Sequence, residues 1–310
     1  MNDVEERLRA HYSSRMADVG ADLPAAAAVK ALAPPARRRG RAAGDRWSTS
    51  ARLVAAACVA AAAVTGTQLL GGAPTASADA AAFLTSAART SAAQEGSWRD
   101  APYWYSRWSQ SQGPLKITGE SWAGNARPGR AVTTEAGRRT TKATEPATFI
   151  VGGGRTTDWD GLWQLPTDPD ALEEHLREAR EGVGPDADTE LFAAVGDLLR
   201  RSPASPALRA ALYEVAARVP GVRLGGTVTD AAGRSGTAVE RTDPDGGVKR
   251  YVIDPSDGQL LQEQDDVSCS PEVLANPGAE ADNVAANCAD VLITTLEQGP
   301  VTAIGARPGT

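Results

Sequence analysis

Histidine, cysteine, methionine and phenylalanine are scarce, at two, three, two and three residues in a chain of 310. Each shortage removes a class of chemistry. His11 and His175 stand far apart, so no ligand set with metal-site spacing can be assembled and no metal is expected. His175 falls among Glu173, Glu174 and Glu178 on a helical pattern, the setting of a solvated side chain rather than a general base. No Gly-x-Ser-x-Gly elbow with a usable base is present. The stretch Gly152-Gly153-Gly154-Arg155-Thr156-Thr157 lacks the Gly-Lys-Ser/Thr ending of a phosphate loop and reads as a turn between strands. The carboxylate pairs Asp168/Asp170 and Asp243/Asp245 stand where helix caps and turns want them, and the second lacks the twelve-position calcium pattern. The sequence therefore predicts no catalytic residue, no cofactor and no enzyme. Alanine dominates the apolar count, and with so little Phe and Met the core must lean on Leu, Val and the seven tryptophans.

Charge is missing altogether from Leu53 to Leu70, 18 residues that would span about 27 Å as a helix, close to the thickness of a bilayer core. Arg37, Arg38, Arg39, Arg41, Arg46 and Arg52 precede this run against a single Asp45, and no Lys or Arg follows until Arg89. That asymmetry predicts a single-pass transmembrane helix with its N-terminus in the cytoplasm and the C-terminal mass outside. Trp47 stands where an interfacial aromatic belongs. Ala76-Ser77-Ala78 also fits a signal-peptide cleavage site, although 52 residues is far longer than the usual basic leader region; a buried Ala-rich helix is the third reading. Residues 1–52 carry +4, so the remainder of a −7 chain carries −11, which argues against nucleic acid as the partner of the outer part.

Of the cysteines, Cys58 lies in the apolar run. Cys269 and Cys288 remain, both in the exported part, and a disulfide between them is expected in an oxidising compartment.

The organisation follows from turns and periodicity. Residues 1–52 read as a short helix (Val4, Leu8, Tyr12 and Met16 on one face) and a basic tether, a membrane-surface segment or a docking site for a cytoplasmic regulatory partner. Residues 71–92 read as an Ala/Ser/Thr/Gly linker, partly helical from Asp79 to Arg89, and 93–310 as the outer domain. Strands are predicted over 103–108, 115–122, 130–135 and 148–151, then three helices begun by Asp168-Pro169, marked by Leu191 to Leu199, and begun by Ser205-Pro206. Strands return from Val222, with Asp-Pro-rich turns at 243–247 and 254–258, and end with Val291 to Leu296. Strands, helices, then strands predict an α+β domain with a large antiparallel sheet packed on about three helices.

The aromatic residues supply the candidate ligand contacts. Alternation along the first strand places Trp104 and Trp108 on one face and Tyr103 and Tyr105 on the other, with Trp122 on the next strand. They fill the space between sheet and helices, or some of them line a cleft for lipid or peptide.

Several stretches carry a resemblance: YWYSRW at 103–108, LPTDPDAL at 165–172, GDLLRRSPASPALRAALY at 196–213 with RVPGV at 218–222, and YVIDPSDGQLL at 251–261. Together they resemble an uncharacterised family of actinobacterial single-pass membrane proteins, often encoded near extracytoplasmic-function sigma factors. The similarity covers most of residues 98–265 and extends loosely to 305. It implies an ectodomain like the half-barrel of LolA-like lipoprotein carriers, a curved antiparallel sheet closed by helices, and it transfers no catalytic residue. The zinc anti-sigma pattern His-x-x-x-Cys-x-x-Cys is absent. The expectation is a membrane-anchored binding or sensing module, linked to sigma-factor signalling; the alternatives are a tethered lipid or lipoprotein carrier and a structural envelope protein.

Overall fold

Short polar turns decide where this chain reverses. At Ala136-Gly137 both residues adopt positive φ (47° and 78°), the two-residue turn whose twist matches paired strands. Asp243 Oδ1 accepts from the backbone N–H groups of Asp245 and Gly247 at 2.9 and 2.8 Å, and Asp254 Oδ1 accepts from that of Ser256 at 2.8 Å. These carboxylates take over hydrogen bonds that a strand would otherwise claim, and so end it.

The computed structural model describes residues 76–94, 96, 98–152, 155–179, 186–266 and 289–309. The segment 1–52 expected to be cytoplasmic, the run 53–70 expected to be a transmembrane helix, and both Cys269 and Cys288, expected to form a disulfide, lie outside them. No helix among the described residues is long and apolar enough to cross a membrane.

Helix α1 (Ala78–Ala92) comes first, then strands β1 (Tyr103–Gln112), β2 (Leu115–Gly124), β3 (Gly129–Glu135) and β4 (Arg138–Thr144). A small hairpin follows, β5 (Thr148–Gly152) and β6 (Arg155–Asp158), then helices α2 (Trp159–Trp163), α3 (Pro169–Glu178), α4 (Ala187–Arg201) and α5 (Pro206–Ala216). Strands β7 (Arg223–Thr229), β8 (Ser235–Thr242), β9 (Val248–Ile253), β10 (Leu260–Asp266) and β11 (Val291–Val301) complete the domain. Nine strands form one open antiparallel sheet in the order β4-β3-β2-β1-β11-β10-β9-β8-β7, with β5 and β6 paired separately. The α+β class and the large antiparallel sheet are as expected. The helices among the described residues are five rather than three. The stretch read as a partly helical linker is, from Ala78 on, a full helix packed on α5, with Ala80, Leu84, Ala87, Ala88 and Ser91 buried.

The caps explain the helix starts. Asp168 Oδ1 accepts from the N–H groups of Asp170 and Ala171 at 3.1 and 3.0 Å, ahead of Pro169, and Ser205 Oγ accepts from Leu208 N–H at 3.1 Å, ahead of Pro206. One core unites the helices with a single sheet face, through Leu172, Leu176, Leu191, Leu198, Leu212, Val239, Tyr251 and Trp104. Gly196 is needed there: a Cβ on it would lie 2.1 Å from Tyr251 Oη, which donates to Phe192 O at 3.0 Å. Charges buried at this layer are paired. Arg200 Nε meets Glu263 at 2.7 Å and Lys249 Nζ meets the same carboxylate at 2.8 Å, with Asp265 also on Lys249. Such pairs hold helix and sheet in one register, since breaking either leaves a charge out of water.

Candidate binding pocket on the outer sheet face

Alternation along β1 separates the five predicted aromatic contacts. Trp104 is buried in the helix-side core, its ring centroid 5.7 Å from that of Trp98. Trp108 shares that face, four residues on, half-buried and lying over Gly119, where an added Cβ would come within 2.3 Å of the indole. Tyr103, Tyr105 and Trp122 lie on the opposite face with Val132 and Val301, in a second small cluster away from the helices. The residues singled out in the sequence therefore do not converge on one site; three of them gather on the outer face.

That outer cluster exists because β1 and β2 place Tyr105 directly opposite Trp122, with ring centroids 5.3 Å apart. The chain after β11 folds back over it, bringing Ile304 and Ala306 against the rings, and Trp122 Nε1 donates to Ala306 O at 2.8 Å. Glu120, two residues before Trp122 and so on the same face, accepts the Tyr105 hydroxyl at 2.9 Å and Arg307 Nη2 at 2.6 Å; Arg139 stands 3.9 Å from its other oxygen. Burial and the bond to Glu120 push the Tyr105 hydroxyl up to about 12, so it stays a donor at any physiological pH.

Between the tail and the β3–β4 hairpin lies a shallow pocket of about 290 Å³. Trp122 and Val132 form its floor, and Glu120, Arg130, Arg139, Thr141, Gly305 and Arg307 its walls. Three guanidinium groups against one carboxylate leave the rim positive. Arg130 is exposed and has no ion-pair partner among the described residues. A flat apolar floor under planar bidentate donors suits a carboxylate or phosphate borne on an apolar body. Sequence reasoning found Trp122 and Tyr105 but not the arginines, because Arg130 and Arg139 come together only across the β3–β4 hairpin and Arg307 only when the tail after β11 folds back.

A shallower depression on α3, lined by Asp170, Glu173, Glu174, Arg177 and Glu178, is solvated and mostly acidic. No group of His, Cys, Asp and Glu that could hold a metal occurs among the described residues. Compared with protein families and curated proteins, the chain matches no family model and no curated sequence.

Proposed function

We propose that this chain is a membrane-tethered, non-catalytic binding and sensing module whose outer domain engages an anionic ligand group in the pocket over Trp122. The observation that carries the reading is the apolar floor of Trp122 and Val132 ringed by Arg130, Arg139 and Arg307. Arg307 belongs to the tail that covers Tyr105 and Trp122, so a ligand drawing on it acts on the segment closing the site. The uncharged run 53–70 and its arginine flank support a tether with residues 1–52 inside, where they would pass the bound state to a cytoplasmic regulatory protein. The −11 charge of the remainder does not suit nucleic acid.

One observation favours the lipid-carrier reading instead. The indole N–H groups of Trp104 and Trp163 are buried without acceptors among the described residues, and Trp108 is half-buried on the same sheet face as Trp104. A lipid or peptide lying between sheet and helices would meet them there.

Titration calorimetry of the full-length chain with laurate and with dodecyltrimethylammonium separates the two. Laurate should bind and the cationic amphiphile should not. Replacing Arg130 and Arg139 by Ala should weaken laurate about tenfold, the sum of two charge contacts of ~0.5–1 kcal/mol each. Equal binding of both amphiphiles, unchanged in that variant and lost in Trp108→Ala, would place the ligand on the helix side.

A further inference from the structure

An open sheet must end somewhere, and the two ends of this one differ. At the β7 edge the ladder with β8 is interrupted between Leu224 and Gly226, beside two glycines, and α1 packs against the strand. Such a bulge twists the backbone away from any newcomer. At the β4 edge the ladder with β3 is regular through all seven pairs, from Gly129↔Thr144 to Glu135↔Arg138. Residues Arg138 to Ala143 are all exposed, and β4 has no partner on its outer side among the described residues. Its outward N–H and C=O groups form a regular template for one more strand.

The side chains restrict which strand that is. From Arg127 to Lys142 the chain carries five cationic residues against one acidic residue, within a region after residue 52 of net charge −11. Positive charge is thus gathered on one hairpin of an otherwise acidic domain. Alternation sends Arg138 and Arg139 to opposite faces of β4. A second copy pairing β4 with β4 would bring together two strands that each carry Arg138, Arg139 and Lys142 and no carboxylate, and this like charge opposes self-association through the edge. Neutral strands gain nothing from the charge. A strand with acidic side chains gains on both faces, and its outer-face residues reach the pocket, because Arg139 and Thr141 of β4 are among the residues lining it.

We infer that the β4 edge is a strand-addition site for an extended acidic peptide, one of whose carboxylates enters the Arg130/Arg139 pocket. This deepens the proposed function and rests on it, naming the partner as an acidic polypeptide segment. The recognition divides in the way strand addition does elsewhere, main-chain bonds giving affinity and alternate side chains giving selectivity.

The test uses the full-length chain and a fluorescein-labelled decapeptide of threonine and glutamate, with glutamates set to oppose Arg138 and Arg139. Fluorescence anisotropy should show saturable, salt-sensitive binding. The same peptide N-methylated at alternate residues should lose binding to the unaltered protein, and amide exchange should slow across 138–144 when the unmethylated peptide is bound. Arg138→Glu with Arg139→Glu, checked for a native circular dichroism spectrum, should weaken binding about tenfold or more. Equal binding of the methylated peptide would show charge attraction alone and overturn the inference. So would absence of peptide binding while phosphatidylglycerol vesicles are captured, which would make the patch a membrane-facing surface. If laurate binds but the peptide does not, this inference falls and the pocket reading stands; if neither binds, both fall.

Discussion

Trp104 and Trp108 show how the neighbours of a residue, rather than its type, set its worth. Both occupy one face of β1, yet Trp104 is 6% exposed amid the helix core while Trp108 is half-buried over Gly119. From the sequence both truncations are expected to be mainly destabilising. The structure separates them: Trp104→Ala should cost about 3–5 kcal/mol, through lost burial and the cavity left. Trp108→Ala should cost less, about 1–2 kcal/mol, since this side chain is only partly buried. Trp104→Phe should stay close to wild type, because it keeps most of the apolar burial and removes an indole N–H with no acceptor among the described residues. Urea unfolding of the three variants checks this ordering; equal losses at 104 and 108 would mean that Trp108 is core as well.

Helix α4 illustrates an element whose start is tied to the sheet. Asp186 caps it, accepting from the N–H groups of Asp188 and Thr189 at 2.9 and 3.0 Å, and also pairs with Arg241 of β8 at 2.9 Å. Burial pushes this carboxyl up, but the bonds from Thr189 and Arg241 outweigh it and hold it below the ordinary value of 3.8. A depressed carboxylate stabilises the fold fully above its unfolded value and loses that contribution as pH falls through the folded one. Asp186→Asn keeps a capping oxygen but loses the ion pair, so it should be less stable by about 1–2 kcal/mol at neutral pH. The deficit should start to shrink below pH 3.8, where the carboxyl of the unfolded chain takes up its proton first, and vanish as pH falls through the folded value. A deficit constant with pH would contradict the pairing. Elements with caps and turns of this kind were legible in the sequence: α3 and α5 from Asp-Pro and Ser-Pro, β8 to β10 from their Asp-rich turns. Strand β4 was not, because RRTTKAT is exposed on both faces and shows no apolar alternation. The helix at 78–92 was half-legible, since alanine fills a buried face there without the hydropathy that usually marks one.

At the largest scale, among the described residues, helices inserted between two runs of antiparallel strands bury one sheet face and leave the other outside the helix layer. The sequence carried the class and the aromatic floor of the outer pocket, because strands and aromatics have local signatures. Its cationic rim was hidden, because Arg130, Arg139 and Arg307 meet only after a hairpin closes and the tail folds back. The central claim is that this rim selects the ligand. Mass spectrometry of what stays bound to the purified full-length chain, compared with an Arg130→Ala/Arg139→Ala variant, tests it most directly. The account predicts an anionic species on the wild type that is depleted in the variant; a neutral species, or equal retention by both proteins, would contradict it.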